Sequence, residues 1–402
     1  SGYLYKIKYD GNNIGYVSTN YIINMDTNRK TSNISSSDTY ANYCNALKNK
    51  GFDESYCPYL YYLHSKYPKW VFTADKVGVT LDTAASNEEG KVVLQTTNSN
   101  YFYNGKKIED DYYYINDTTI KSFMDPRNSL FDNLIFQFVD LQDSKNIYND
   151  AALKKSAGGE DGFYYKYYKN DFINASKNAG ISAIHIMARG TQEGTNSASY
   201  AGVTGKYTTN TGRKSSQDYS LDGYYNFFNI GAYADKNYPY PVQRGLAYAA
   251  GFLEKDTCIS KNSSGVPYYD SSKCPALSYS RPWNTPQKAI SGGIDFIANS
   301  YVKRGQDTLY FQKFNVSSYA STSMYANQYM TNAYAPAQEA NLINSAYAAG
   351  NLKNSAFNFV IPVYNNMGSD SSEPVNHNSD TRLKSISVNG TVISGFDPDV
   401  LE

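Results

Sequence analysis

HIMARGTQEG, residues 185–194, decides how this chain is read. With Ile181–Ile184 before it, the stretch places apolar residues at three- and four-residue spacing, the period of a helix, and it ends in a lone acid, Glu193, between Gln192 and Gly194. On a helix Ser182, Ile186, Gly190 and Glu193 share one face. Glu193 is therefore expected to project beside the bare Cα of Gly190, where a ligand can approach closely, with Gly194 closing the helix as its C-terminal cap. A carboxylate in the last turn meets the negative end of the helix dipole, and apolar neighbours add desolvation. Both disfavour the ionised form, which is the condition required of a general acid near neutral pH. The plainer reading is an exposed Glu in a fraying last turn.

Working outward, residues 163–192 read as helical with a break at Gly180, and 194–225, rich in Thr, Ser, Gly and Tyr, as loop or short strands. Further helices are expected at 243–254, 285–304 and 336–350. Upstream, YANYCNALKNKGF from Tyr40 and ESYCPYLYYLHSKYPKW carry helical spacing, WVFTADKVGVTL reads as a strand, and Asp125-Pro126 opens a helix before an apolar run ending at Asp140. NFVIPVYNNM (358–367) reads as a strand. Residues 3–23 alternate apolar and polar and turn at DGNN, a β-hairpin pattern. Polar linkers follow at 26–39 and again at SDSSEPVNHNSD, after which RLKSISVNGTVISGFDP reads as the opening of a β-domain. The chain is expected to be a piece of a longer protein, and it contains no internal repeat.

The 402 residues, 41% of them hydrophobic, can build two or three domains with a sizeable core. The 37 basic and 37 acidic residues cancel, which gives no footprint for nucleic acid or an anionic membrane. No run approaches the roughly 18 apolar residues of a membrane span. Four cysteines in two close pairs, Cys44 with Cys57 and Cys258 with Cys274, fit two small-loop disulfides and an oxidising, extracellular setting. Only three histidines occur, His64, His185 and His377, the first two in helical segments and the third in a linker. They are too few for a His-rich zinc site, and the nucleophile-elbow and phosphate-loop patterns are missing. Carboxylates and tyrosines are the remaining chemistry, with no metal or organic cofactor implied. The 42 tyrosines against two tryptophans suit sugar recognition, since an aromatic face covers the apolar face of a pyranose while the phenol bonds its hydroxyls. AT-rich codon usage explains the same count, as the 8 arginines against 29 lysines suggest.

ISAIHIMARGTQEG followed by GYYNFFNIGAY (223–233) resembles the signature of the glucosaminidases of bacterial cell-wall autolysins, glycoside hydrolase family 73. Segments 51–72, 123–138, 283–316 and 359–367 resemble the large clostridial-type members, so the likeness covers roughly residues 40–368. Residues 1–24 resemble half of a bacterial SH3-like wall-binding domain, and 381–400 the start of a cadherin-like β-sandwich.

The resemblance implies an α+β, mainly α architecture: a lysozyme-like catalytic domain with a β-lobe carrying residues 194–240. The implied organisation is a partial SH3-like domain (1–25), a linker (26–39), an N-terminal subdomain (40–165), the catalytic domain (166–368) and a linker with a truncated β-domain (369–402). Glu193 matches the family's catalytic acid, and Tyr329, in QYMTNAYAP, the tyrosine of a second catalytic segment. Asn226, Phe227, Phe228, Asn229, Ile230 and Gly231 match the segment that lines the cleft. A second acid is expected in the β-lobe, with Asp222, Asp235 and Asp218 as candidates that no motif separates. A general base stands roughly 6.5 to 9.5 Å from the acid and a nucleophile about 5 to 5.5 Å, while assistance by the substrate's N-acetyl group needs no second carboxylate. Tyr233 and Trp283, with Tyr224 and Tyr225, are candidates for stacking on sugar rings. The implied activity is that of a secreted, wall-associated, monomeric peptidoglycan hydrolase cleaving on the reducing side of N-acetylglucosamine. A lytic transglycosylase on the same fold and a non-catalytic wall-binding module are the alternatives.

Overall fold

The computed structural model describes residues 4–9, 13–18, 40–109, 111–207, 220–369, 371–372, 385–388 and 391–394. Asp218, His377 and the linkers at 26–39 and 373–380 lie outside them. The chain opens with an antiparallel hairpin, β1 (Leu4–Tyr9) and β2 (Asn13–Ser18), as the alternation predicted. Next come α1 (Tyr40–Asn49), α2 (Cys57–Lys66), β3 (Val71–Thr80), α3 (Leu81–Glu88), β4 (Val93–Gln95), β5 (Phe102–Glu109), β6 (Tyr112–Ile115) and α4 (Asp117–Met124). After these the chain is helical: α5 (Asp150–Ser156), α6 (Phe163–Ala179), α7 (Ala183–Gln192), α8 (Ala201–Thr204) and α9 (Pro241–Ala250). A short hairpin, β7 (Ile259–Lys261) and β8 (Pro267–Tyr269), precedes α10 (Pro286–Ser300), α11 (Leu309–Phe314) and α12 (Ala335–Ala349). The last strands are β9 (Asn358–Asn365), β10 (Ser385–Val388) and β11 (Thr391–Ser394). The architecture is α+β and mainly helical, as expected.

Two compact units divide the chain: one runs to Asp140 and takes up Arg304–Asn341 and the chain from Lys353, and the other comprises Leu141–Lys303 with Leu342–Leu352. In the first, β3 pairs in parallel with β9, from Val71 opposite Asn358 to Lys76 opposite Val363. Phe359–Tyr364 are all buried, which is why this strand reads as an apolar run rather than an alternation. Trp70, just before β3, stacks on Tyr67 at 3.9 Å and meets Phe136 and Phe359 edge-on or tilted, while its indole N–H donates to the Lys353 carbonyl at 2.8 Å. A three-stranded antiparallel sheet in the order β4-β6-β5 lies in a stretch that the periodicity left unassigned. Asp125-Pro126 does not open a long helix. Asp125 caps a single 3-10 turn, Pro126–Ser129, by accepting from the Arg127 N–H at 3.0 Å, and the apolar run beyond it forms another short turn, Leu134–Phe138.

In the second unit α6 packs on α10 and α7. Leu221, Leu246, Ala247, Ala250 and Phe252 form a buried cluster around α9. The described residues of 194–240 hold α8 and turns, with no strand among them. Their density of Gly, Asn and Tyr is satisfied by side-chain-to-backbone bonds in place of a ladder. Of the two disulfides expected, one has formed, Cys258–Cys274, with its Cα atoms 5.5 Å apart. Cys44 and Cys57 are buried free thiols, hydrogen-bonded to each other.

Candidate active site

The segment that opened the sequence reading is helical, and it is enclosed on all sides. Gly180 ends α6 in the left-handed region, Ser182 caps α7 by accepting from the His185 N–H, and every residue from Ala183 to Gly190 is buried. The burial takes in His185 and Arg189 as well as the apolar residues, so the half-buried residue at the end of the helix is the part within reach of a ligand. Glu193 is that residue, the C-terminal cap of α7. Beyond it the chain turns back: the Thr195 N–H donates to the Gly190 carbonyl at 3.1 Å and the Gly194 N–H to Thr191 at 3.2 Å. This is a Schellman ending, and the φ of +69° at Gly194 is what makes glycine the suitable residue there. A fraying last turn is thereby replaced by a fixed one.

Gly190 is not open space. A Cβ on it would lie 2.2 Å from the Tyr164 ring, so this glycine admits a tyrosine instead of a ligand. The Tyr164 hydroxyl bonds the Thr195 hydroxyl and donates to the Phe227 carbonyl at 2.9 Å. Its backbone N–H donates to the Asn196 side chain at 2.8 Å. Burial pushes the phenol well above its ordinary range, which keeps it a donor. Tyr164 thus ties α6, the turn after Glu193 and the 226–231 segment together.

That segment closes over the turn. Asn226 donates from its backbone to Gly202 at 2.6 Å, and its side chain bridges both polar groups of the Ile230 backbone and the Gly245 carbonyl. Asn229, at φ +52°, directs its amide to the Glu193 carbonyl at 3.5 Å, and its side-chain oxygen accepts from the Tyr200 hydroxyl. Desolvation, with the Glu193 charge adding to it, pushes the Tyr200 phenol up to about 12. Tyr200 therefore stands protonated, within electrostatic reach of the Glu193 carboxylate.

Several residues expected to touch sugar are core residues. Phe227 and Phe228 are buried, the first against Tyr164 and Phe172 and the second against Gly293. Asn226 and Ile230 are buried as well. Trp283 is 0% exposed, lies against Gly292 and donates its indole N–H to the Tyr279 carbonyl at 2.8 Å, so neither of its faces is available for stacking. Asn229 and Gly231 are half-buried, Tyr224 and Tyr225 are half-buried, and Tyr233 is exposed.

The candidate second acids differ in what they already hold. Asp235 accepts Arg244 Nε at 2.7 Å and the backbone N–H groups of Asn237 and Tyr238, and the Arg244 bond is the chief cause of its lowered pKa. Asp222 is exposed and accepts from the Tyr207 N–H at 2.8 Å. Tyr329 belongs to the first unit, where its backbone donates to the Gln312 carbonyl. Among the described residues no group of three or more His, Cys, Asp and Glu side chains is placed to hold a metal ion. No described helix is long and apolar enough to cross a membrane.

No protein-family model matches the sequence. The chain is 30% identical over 206 residues to the bifunctional autolysin of Staphylococcus epidermidis, a match covering 50% of this chain and 12% of that one. Against the bifunctional autolysin of Staphylococcus aureus MRSA252 it is 26% identical over 258 residues, 63% of this chain and 16% of the relative. The chain thus spans a small part of the curated relatives it matches. Among solved structures it is similar to S. aureus glucosaminidase B, at 23% identity and a TM-score of 0.45 over 73% of this chain and 94% of that one. It is similar also to the major bifunctional autolysin, at 22% identity and a TM-score of 0.43 over 73% and 98%. Over the matched stretch the chain is a homologue of the bifunctional autolysins, the group to which its motifs point.

Sequence reasoning missed Tyr164, Thr195, Tyr200 and Arg244. The polar run directly after Glu193 was the available signal for Thr195, and the helical spacing of FYYKYYKND for Tyr164.

Proposed function

We propose that this region is a peptidoglycan hydrolase of the endo-β-N-acetylglucosaminidase type, secreted and wall-associated, with Glu193 as its general acid. The observation that carries the reading is Glu193 itself, half-open at the locked end of an otherwise enclosed helix and joined through its carbonyl to Asn229 of the NFFNIG segment. Relatedness to bifunctional autolysins supports the substrate class, and the Cys258–Cys274 bridge fits an oxidising setting. In the reaction the Glu193 carboxyl gives its proton to the glycosidic oxygen as the bond from that oxygen to the anomeric carbon breaks. The oxocarbenium-like centre is then met by water or by the substrate's N-acetyl oxygen. Because the Asp235 oxygens are engaged by Arg244 and two amides, Asp222 or the N-acetyl group is the better candidate for the second role. Tyr329 stands as a further candidate on the family resemblance.

The test is digestion of purified peptidoglycan by the wild type and by Glu193→Gln, with the fragments reduced and identified by mass spectrometry. Reducing N-acetylglucosamine ends are expected from the wild type, and at least about a hundredfold fewer from the variant. Anhydro ends, one water lighter, would instead place the chain with the lytic transglycosylases, and no fragments from either protein would leave a wall-binding module. Tyr329→Phe in the same assay tests the tyrosine separately.

A further inference from the structure

Tyr233 is 57% exposed, yet its ring is not free to swing. The guanidinium of Arg244, on α9, lies over one face with Cζ 3.5 Å from the ring centroid. Arg244 is itself fixed at two further points: Nη1 donates to the Gly231 carbonyl at 2.6 Å and Nε to Asp235 at 2.7 Å. The other Asp235 oxygen accepts the N–H groups of Asn237 and Tyr238 at 2.8 and 2.9 Å. One arginine therefore holds the backbone before the ring, the ring, and the carboxylate beyond it. The next residue on α9, Gly245, receives the Asn226 side chain at 3.0 Å, so the same turn of helix grips the 226–235 segment at both ends.

This arrangement suits a particular ligand chemistry. The arginine charge is matched by Asp235, and its side chain is only 14% exposed, which makes it a poor anion site. An aromatic ring with one face covered and its ordering already complete offers a preorganised apolar surface. That surface complements the axial C–H groups of a hexopyranose.

We infer that Arg244 and Asp235 hold Tyr233 as a fixed platform on which a sugar ring of the glycan stacks, with Arg244 acting as a positioning residue for substrate binding. The inference rests on the proposed glycan substrate and adds a binding position to it. Tyr233 leads back to the acid through two residues, Ala232 and Asn229: Asn229, which reaches the Glu193 carbonyl, also accepts the Ala232 N–H through its own carbonyl.

The experiment measures binding of a β-1,4-linked N-acetylglucosamine tetramer to the non-cleaving Glu193→Gln protein by calorimetry. The same titration is run with Tyr233→Ala, Tyr233→Trp and Arg244→Met added, each checked by thermal melting. Tyr233→Ala and Arg244→Met are expected to weaken binding about fivefold to tenfold, and Tyr233→Trp to retain it. In the enzymes that keep Glu193, KM should rise by a similar factor with kcat within about twofold, the pattern of lost uniform binding. Unchanged affinity in Tyr233→Ala, or a tetramer that does not bind the parent, overturns the platform. Tyr233→Ala replaces an exposed side chain and does not threaten the fold, so its result stands even if Arg244→Met melts early. A wild type that releases no fragments, paired with Tyr233-dependent binding, refutes the proposed activity and leaves the platform intact.

Discussion

Each unit contains an Asp–Arg ion pair, and the two pairs serve different ends. Asp125 and Arg127 are sealed, with side chains 0% and 3% exposed, and meet as a two-pronged fork at 2.9 and 2.8 Å. The remaining valences of this pair secure backbone: Arg127 donates to the Gly368 carbonyl, and Asp125 accepts the Ser372 N–H and hydroxyl. Asp235 and Arg244, at 32% and 14% exposed, join through a single nitrogen and give the rest of the arginine to a carbonyl and an exposed ring. The same two residue types build architecture where water is excluded and orient a surface where it is not. What separates them energetically is desolvation, since a sealed ion that loses its partner keeps the full cost of burial.

The comparison can be broken most directly at the sealed pair. Arg127→Met should cost roughly 3–5 kcal/mol by leaving Asp125 buried and unmatched. The chain has two tryptophans, Trp70 in the first unit and Trp283 in the second. Urea unfolding followed by Trp70 fluorescence in a Trp283→Phe background therefore measures the loss, and an unchanged midpoint would refute the assignment. A smaller effect is expected at Lys313, which is buried with no hydrogen bond to its Nζ. Desolvation lowers its pKa to about 8, partly offset by the Glu88 charge. Here the folded pKa lies below the unfolded value of 10.5, so the unfolded chain binds more protons between them and stability should rise with pH from about 8 upward. The gain should be on the order of 2 kcal/mol by pH 10. Above that the buried Tyr56 and Tyr310, whose pKa values are raised, reverse the sign as the unfolded phenols ionise. Lys313→Met should flatten the rise in a pH series of melts. The smallest effect belongs to the open pair: Asp235→Asn should cost less than about 1 kcal/mol in thermal stability, and a loss matching that of Arg127→Met would erase the distinction.

Helix period, glycine breaks and capping residues made α6, α7 and the turn after Glu193 legible, because those signals are local. β3 and β9 were legible as strands, but their pairing was not, since nothing local says that Val71 will lie opposite Asn358. In the β4-β6-β5 sheet, β4 and β6 span three and four residues, too few for an alternation to stand out, and the tyrosine run of β6 carries no apolar–polar contrast. At the site, the NFFNIG segment lies against the turn after Glu193 and turns several of its side chains inward, which the motif alone does not reveal. Phe227 and Phe228 read as cleft residues, yet Gly190 and Gly293 provide the hollows that draw the rings around them inward. Asn229, Gly231 and Tyr233 keep exposure to solvent, as do Tyr224 and Tyr225.

The parallel pairing of β3 with β9 also sets an order of events. Strand Val71–Thr80 finds its partner only when Asn358–Asn365 has been made, and the whole stretch from Leu141 to Lys303 is synthesised in between. A chain leaving the ribosome from its N-terminus can therefore complete the α6–α7 region while the first unit still waits with an open strand edge. Contacts this distant slow folding and expose unpaired edges to aggregation meanwhile. The strand edge of the first unit is consequently open until Asn358–Asn365 is made, and it is the part that most needs protection until then.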